Sequence, residues 1–171
     1  GYFIIPDELK KLKNSMKVLA SETFSAVSAP IQFAAITAFN DDHGNYVSNS
    51  RKILKGIGEY VYKNLKSNNV IINKPMGGFY LMPEFLNKKF KTSQEMCADL
   101  LNKKGVAMLP GSDFGFLNDK MIARISYTDF DGKNFMSNIN SDTIVDENLI
   151  KKFAPKVVEG TKRLKDWVKK G

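Results

Sequence analysis

The 171 residues are about one domain's worth, taking roughly 100–200 residues per domain, and 43% apolar with 11% aromatic content excludes a disordered chain. No run of 18 apolar residues is present, which excludes a membrane-spanning helix, and the single cysteine, Cys97, excludes an internal disulfide or a cysteine-based zinc site and predicts a reduced, cytoplasmic setting. The net charge of +8 points first to nucleic acid, but of 26 cationic residues only Arg51, Arg124 and Arg163 are arginine, so no nucleic-acid partner is expected and the 23 lysines read as solvated helix faces.

Residues 2–5 (Tyr-Phe-Ile-Ile) read as a short buried strand ended by Pro6, and the apolar run stops too soon at Asp7 for a signal peptide. Pro6 suits a first helical turn, with Asp7 and Glu8 at its positive end, and Leu9, Leu12, Met16 and Leu19 recur at helical spacing. A Ser/Thr-rich stretch over 21–28 interrupts that pattern. Ser28 then predicts an N-cap, with Pro30 just inside a helix whose Ile31, Ala34, Ala35, Ala38 and Phe39 share one face.

After a polar turn at 40–45, Ile53, Leu54, Ile57, Val61 and Leu65 form the stripe of a longer helix. Gly56 and Gly58 weaken it by up to about 1 kcal/mol each. Residues 70–73 and 79–82 read as two strands joined through the 75–78 turn. Thr92 to Glu95 has capping-box spacing ahead of Met96, Leu100 and Leu101, and Gly105 fits that helix's stop.

Residues 106–109 form a compact apolar strand running into Pro110-Gly111. Over 121–127, Met121, Ala123, Ile125 and Tyr127 alternate with Ile122, Arg124 and Ser126, as on the two faces of a strand. Residues 129–142 are polar and read as irregular, with no role assigned. Asp146 predicts a cap for a helix through Phe153. Pro155 opens the last helix, with Val158, Thr161, Leu164 and Val168 on one side. Helices interleaved with four or five short strands predict an α/β (α+β) class, helices packed on a short mixed sheet.

The usual catalytic constellations are missing. His43, the single histidine, sits in an Asp-Asp-His-Gly turn and reads as an exposed loop residue, which excludes a multi-histidine metal site. Cys97 falls on the apolar side of its helix and reads as a buried thiol. Residues 111–115 (Gly-Ser-Asp-Phe-Gly) lack the lysine and spacing of a phosphate-binding loop and read as a turn. Arg124 stands out, a permanent charge inside a strand of Met, Ile, Ala and Tyr. It is either an arginine at the sheet surface, or one paired with an internal carboxylate, or one held ready for a ligand's carboxylate.

Five blocks, in order, resemble the fold-type I aminotransferases of the aspartate aminotransferase group (class I/II). Gly1-Tyr2 is similar to the end of that family's Gly-x-Arg-x-Gly-Tyr strand, and 25–39, with Pro30, Gln32, Ala34 and Ala35, to its Ser-x-x-x-x-Gln-x-Ala-Ala helix. Residues 75–81 resemble its Pro-x-Gly-Gly-Phe-Tyr turn and strand, 106–115 its Val-x-x-x-Pro-Gly-Ser-x-Phe-Gly block, and 123–127 the block with the carboxylate-binding arginine.

The resemblance implies a small C-terminal domain over 41–171, joined by the strand and helices of 1–40 to a large domain not in this chain. It implies a homodimeric parent enzyme acting on amino-acid and 2-oxo-acid substrates, with pyridoxal 5'-phosphate between its domains. It assigns Arg124 to the substrate α-carboxylate and Phe79 to the pocket wall. The family's Schiff-base lysine lies upstream of the Gly-Tyr pair, so no catalytic or cofactor-binding residue is expected here, and the chain alone is expected to be inactive. Two alternatives are a freestanding module holding small carboxylates and a basic anion or nucleic-acid binding module.

Overall fold

The computed structural model describes residues 3–24, 27–86 and 89–170. Gly1, Tyr2 and Ser25, which carry part of the resemblance, lie outside these. The chain divides into two compact units, 1–42 and 43–171.

In the first unit a 3-10 turn (Asp7–Leu9) leads into α1 (Lys10–Thr23), and α2 spans Ala29–Asn40 with Pro30 in its first turn. Ser28 occupies the N-cap of α2, but its hydroxyl caps no backbone N–H. Neither helix carries a buried residue: Leu12, Leu19, Ile31, Phe33 and Phe39 are all at least half exposed. Of the strand expected over 2–5, the described residues 3–5 form no strand, and Phe3 and Ile4 are exposed; Tyr2 lies outside the described residues. An apolar run has no ladder to join without a neighbouring strand to accept its backbone hydrogen bonds.

The second unit is built around α3 (Gly44–Leu65), whose Ile53, Ile57, Val61 and Leu65 are buried. It packs against α5 (Gly132–Ser137), α6 (Glu147–Phe153) and α7 (Pro155–Lys170). The glycines of α3 are sites of close approach. A Cβ on Gly56 would lie 2.7 Å from Val145 Cγ1, and one on Gly58 would lie 2.9 Å from Tyr127 Oη. Helix propensity given up there lets α3 seat directly on its neighbours. α4 (Ser93–Lys104), which packs against α7, is capped by Thr92, which accepts from the Glu95 N–H at 3.2 Å, while Lys91 N–H donates to Glu95 at 3.0 Å. Gly105 ends α4 in the left-handed conformation at φ 63°.

Among the described residues, five short strands make two antiparallel sheets. β1 (Val70–Ile71) pairs with β3 (Glu84–Phe85), and β5 (Ala123–Ser126) lies between β2 (Tyr80–Leu81) and β4 (Leu109–Pro110). The two strands read at 70–73 and 79–82, joined through the 75–78 turn, do not pair with each other. Val70 takes Phe85 as its partner and Tyr80 takes Ser126, placing the two segments in different sheets. Local spacing reported the turn and not the long-range partners, which burial of Phe85 and Leu81 decides.

The stretch read as polar and irregular also needs correcting. Asp131 caps α5 by accepting from Asn134 N–H at 2.9 Å, and Phe135 is fully buried, stacked on Phe153 at 5.0 Å and edge-on to Phe130 at 6.0 Å. Lys52 of α3 donates to the carbonyls of Asn140 and Ser141, tying down the end of the segment. In α7 the buried face is Val157, Thr161, Leu164 and Trp167, one position off the expected stripe at both ends. Trp167 lies between Phe85 and Phe90 and donates its indole N–H to Asp99 at 3.0 Å. No helix among the described residues is long and apolar enough to cross a membrane.

Two glycine substitutions separate propensity from packing. Gly160, inside α7, has nothing within 4 Å of a built Cβ, so Gly160→Ala is expected to raise stability by about 0.5–1 kcal/mol. Gly58→Ala should instead lose about 1–3 kcal/mol, because the methyl displaces Tyr127. Urea unfolding of the two variants checks the opposite signs.

Candidate functional site

β5 alternates as its sequence implies. Ala123 is fully buried, while Arg124 and Ser126 face the other way. The register sets Leu109 of β4 directly opposite Arg124 and Tyr80 of β2 opposite Ser126, so Tyr80, Leu109, Arg124 and Ser126 share one face. Residues diagonal to one another across a strand pair are within reach of long side chains. Accordingly the Arg124 guanidinium carbon lies 4.3 Å from the centroid of the Tyr80 ring.

The second ring comes from a 3-10 turn, Gly111–Phe114, directly after β4. Phe114 places its centroid 4.3 Å from the same guanidinium carbon. The turn is fastened at its start by Gly111 N–H donating to Ile122 O at 2.7 Å, and through the Ser112 hydroxyl, which accepts from the side-chain amide of Gln94 on α4. Beside Tyr80, Tyr127 is buried and donates its hydroxyl to Gly78 O at 2.9 Å, pinning the turn before β2.

Among the described residues no carboxylate pairs with Arg124; the ion pairs lie elsewhere and join lysines or Arg163 to surface acids. Of the readings left open by the sequence, an internal acid partner is thus excluded within these residues. Two cation–π contacts remain, each worth about 0.5–1 kcal/mol where exposed and about 2 where desolvated. They place two rings against the guanidinium without using its hydrogen-bonding N–H groups.

Phe79 is partly exposed and reaches the site through Tyr80, its ring centroid 4.3 Å from that of Tyr80. The structure puts Tyr80 and Phe114, not Phe79, against the guanidinium. Both lie within motif blocks visible in the sequence, yet no spacing rule would have joined them, because the site is assembled from three separate segments.

The remaining candidates do not join this site. His43 is exposed at the start of α3, and no cluster of three or more His, Cys, Asp or Glu side chains suited to a metal occurs among the described residues. A cavity of about 580 Å³ lies between α3, α7 and the sheet, lined by Val61, Leu65, Met108, Ile125, Tyr127 and Leu164 among others, and Arg124 does not line it. Cys97 is buried, and burial first, then the nearby Asp113, pushes its thiol up to about 11. It is a protonated packing residue at neutral pH, and not a nucleophile.

The folded chain therefore keeps the Cys97 proton where the unfolded chain has lost it. That contribution to stability is complete below about pH 9 and is lost as the pH rises through about 11. At pH 7.5, about tenfold or greater acceleration of iodoacetamide labelling is expected on unfolding. Equal rates in water and in denaturant would show an accessible thiolate instead.

The sequence profile of the family described as "Aminotransferase class I and II" matches residues 1–136. An aspartate aminotransferase of Sulfolobus acidocaldarius is 25% identical over 174 residues, covering 98% of this chain and 36% of that protein. An aspartate aminotransferase of a Bacillus species is 35% identical over 107 residues, covering 60% of this chain and 27% of its own length. Among solved structures, the alanine aminotransferase from Pyrococcus furiosus superposes with a TM-score of 0.72 at 22% identity, covering 96% of this chain and 36% of that one. The aspartate aminotransferase from Rhizobium meliloti does so at 0.67 and 20% identity, covering 94% and 36%. These structural likenesses carry the α/β fold. The chain spans well under half the length of the relatives it matches. With a family profile running through α1–α5 and the same fold in solved aminotransferases, this chain belongs to the class I and II aminotransferases.

Proposed function

We propose that this chain is the small C-terminal domain of an amino-acid aminotransferase, and that Arg124 binds the α-carboxylate of the amino-acid or 2-oxo-acid substrate. In this reading 41–171 form the domain proper and 1–40 join it to the large domain. Phe79 stands at the pocket wall behind Tyr80. One observation carries the reading: a guanidinium in contact with two aromatic rings and with no protein carboxylate paired with it among the described residues. Two parallel charge-assisted hydrogen bonds from its N–H groups to a carboxylate supply about 1.5–3 kcal/mol.

The family implies pyridoxal 5'-phosphate, which supplies an electron sink for carbanion formation at the amino acid's α-carbon. The groups gathered at Arg124 do not fit that cofactor. They are two aromatic rings, the Leu109 side chain and the Ser126 hydroxyl, whereas the cofactor needs a lysine amine to form an imine and an acid facing its ring nitrogen. What they fit is the substrate's acid end. We assign the cofactor, the Schiff-base lysine and the proton-moving base to the remainder of a cytoplasmic homodimeric enzyme, so the chain by itself binds substrate without transaminating.

In the full-length enzyme, Arg124→Ala is expected to lower kcat/KM for its amino acids about tenfold or more; an unchanged value for every amino acid tried would refute the role. Incubated with pyridoxal 5'-phosphate and borohydride, the chain should acquire no label on any single lysine. Stoichiometric reduction onto one lysine, found by peptide mass mapping, would place the cofactor here after all.

A further inference from the structure

The shape of the aromatic slot carries a second conclusion, which rests on the reading of Arg124 as a carboxylate ligand. We propose that Tyr80 and Phe114 are positioning residues that hold the Arg124 guanidinium in place before substrate arrives, so that its N–H groups are preset for a flat carboxylate. Nothing in the family assignment or the comparisons gives either ring this task.

The guanidinium carbon sits 4.3 Å from each ring centroid, and both rings lie at ordinary face-contact distance from it. An arginine side chain has many rotamers, and an unrestrained one must be ordered each time a ligand binds. Here ordering is complete beforehand, since Tyr80 is fixed by its strand register with Ser126 and Phe114 by a turn tied to Ile122 and Gln94. With two rings against the guanidinium and no acid paired with it among the described residues, its N–H groups are left for a carboxylate, which takes two hydrogen bonds at once. A lysine ammonium, a compact point charge, lacks the flat shape that fills such a slot and cannot offer a planar fork.

Tyr80 and Phe114 are both more than a third exposed, at 42% and 39%, so their replacement leaves the core intact. The test is NMR of the 171-residue chain with succinate as the probe, at fixed ionic strength. In the free chain the Arg124 Nε–Hε signal should be shifted upfield by the two rings. Tyr80→Leu and Phe114→Leu should each remove part of that shift and weaken succinate binding by about threefold or more. Tyr80→Phe and Phe114→Tyr, which keep the rings, should restore both. Arg124→Lys should bind no better than Arg124→Ala.

Leucine variants that bind succinate as tightly as the parent chain, while Arg124→Ala abolishes binding, would overturn the positioning role and leave the carboxylate reading standing. Succinate binding unchanged by Arg124→Ala would remove the carboxylate reading and this inference with it.

Discussion

A permanent positive charge in the central strand of a small apolar sheet is the constraint around which the second unit is arranged. Arg124 cannot be neutralised by losing a proton, so it needs water, an anion or polarisable neighbours. The fold supplies two aromatic faces and no acid among the described residues. An internal carboxylate would have contributed more stability, about 1.5–3 kcal/mol against roughly 0.5–1 for an exposed cation–π contact. It would also have closed the site. The weaker, aromatic solution keeps the charge in place and leaves its directional hydrogen-bonding capacity for a guest.

Much of the surrounding packing holds that strand and its rings in register. Ala123 is fully buried beneath β5, and Tyr127 at its end is buried against α3, where Gly58 leaves room for the phenol. The same phenol anchors Gly78 and so the entry to β2, which brings Tyr80. On the other edge, α4 grips the 3-10 turn through Gln94 and Ser112, which brings Phe114. A change in helix packing at Gly58 is therefore coupled to one wall of the slot through a single side chain.

The parts of this arrangement encoded locally were legible in the sequence. The α3 stripe, the caps at Thr92 and Asp146, the stop at Gly105, the alternation around Arg124 and the buried Cys97 each depend on neighbours in sequence. What depends on distant partners was not. The pairing of Val70 with Phe85 and of Tyr80 with Ser126 is decided by which apolar side chains reach the core, and the 75–78 turn says nothing of those partners. Phe135 was hidden because a single buried phenylalanine within a polar stretch produces little periodic signal, although it is fully buried against Phe153 and Phe130. Arg124 was visible as an oddity of pattern. Its two rings were not, because a stacked cation is a property of three segments meeting in space.

The most direct measurement is a crystal structure of the chain grown with maleate, a rigid dicarboxylate. The expected result is one carboxylate of maleate lying in the plane of the Arg124 guanidinium and accepting two hydrogen bonds from it, with Tyr80 and Phe114 still in contact with the guanidinium. A guanidinium turned away and paired with an aspartate or glutamate of its own chain, maleate absent from it, would contradict the claim that this charge is kept for a ligand.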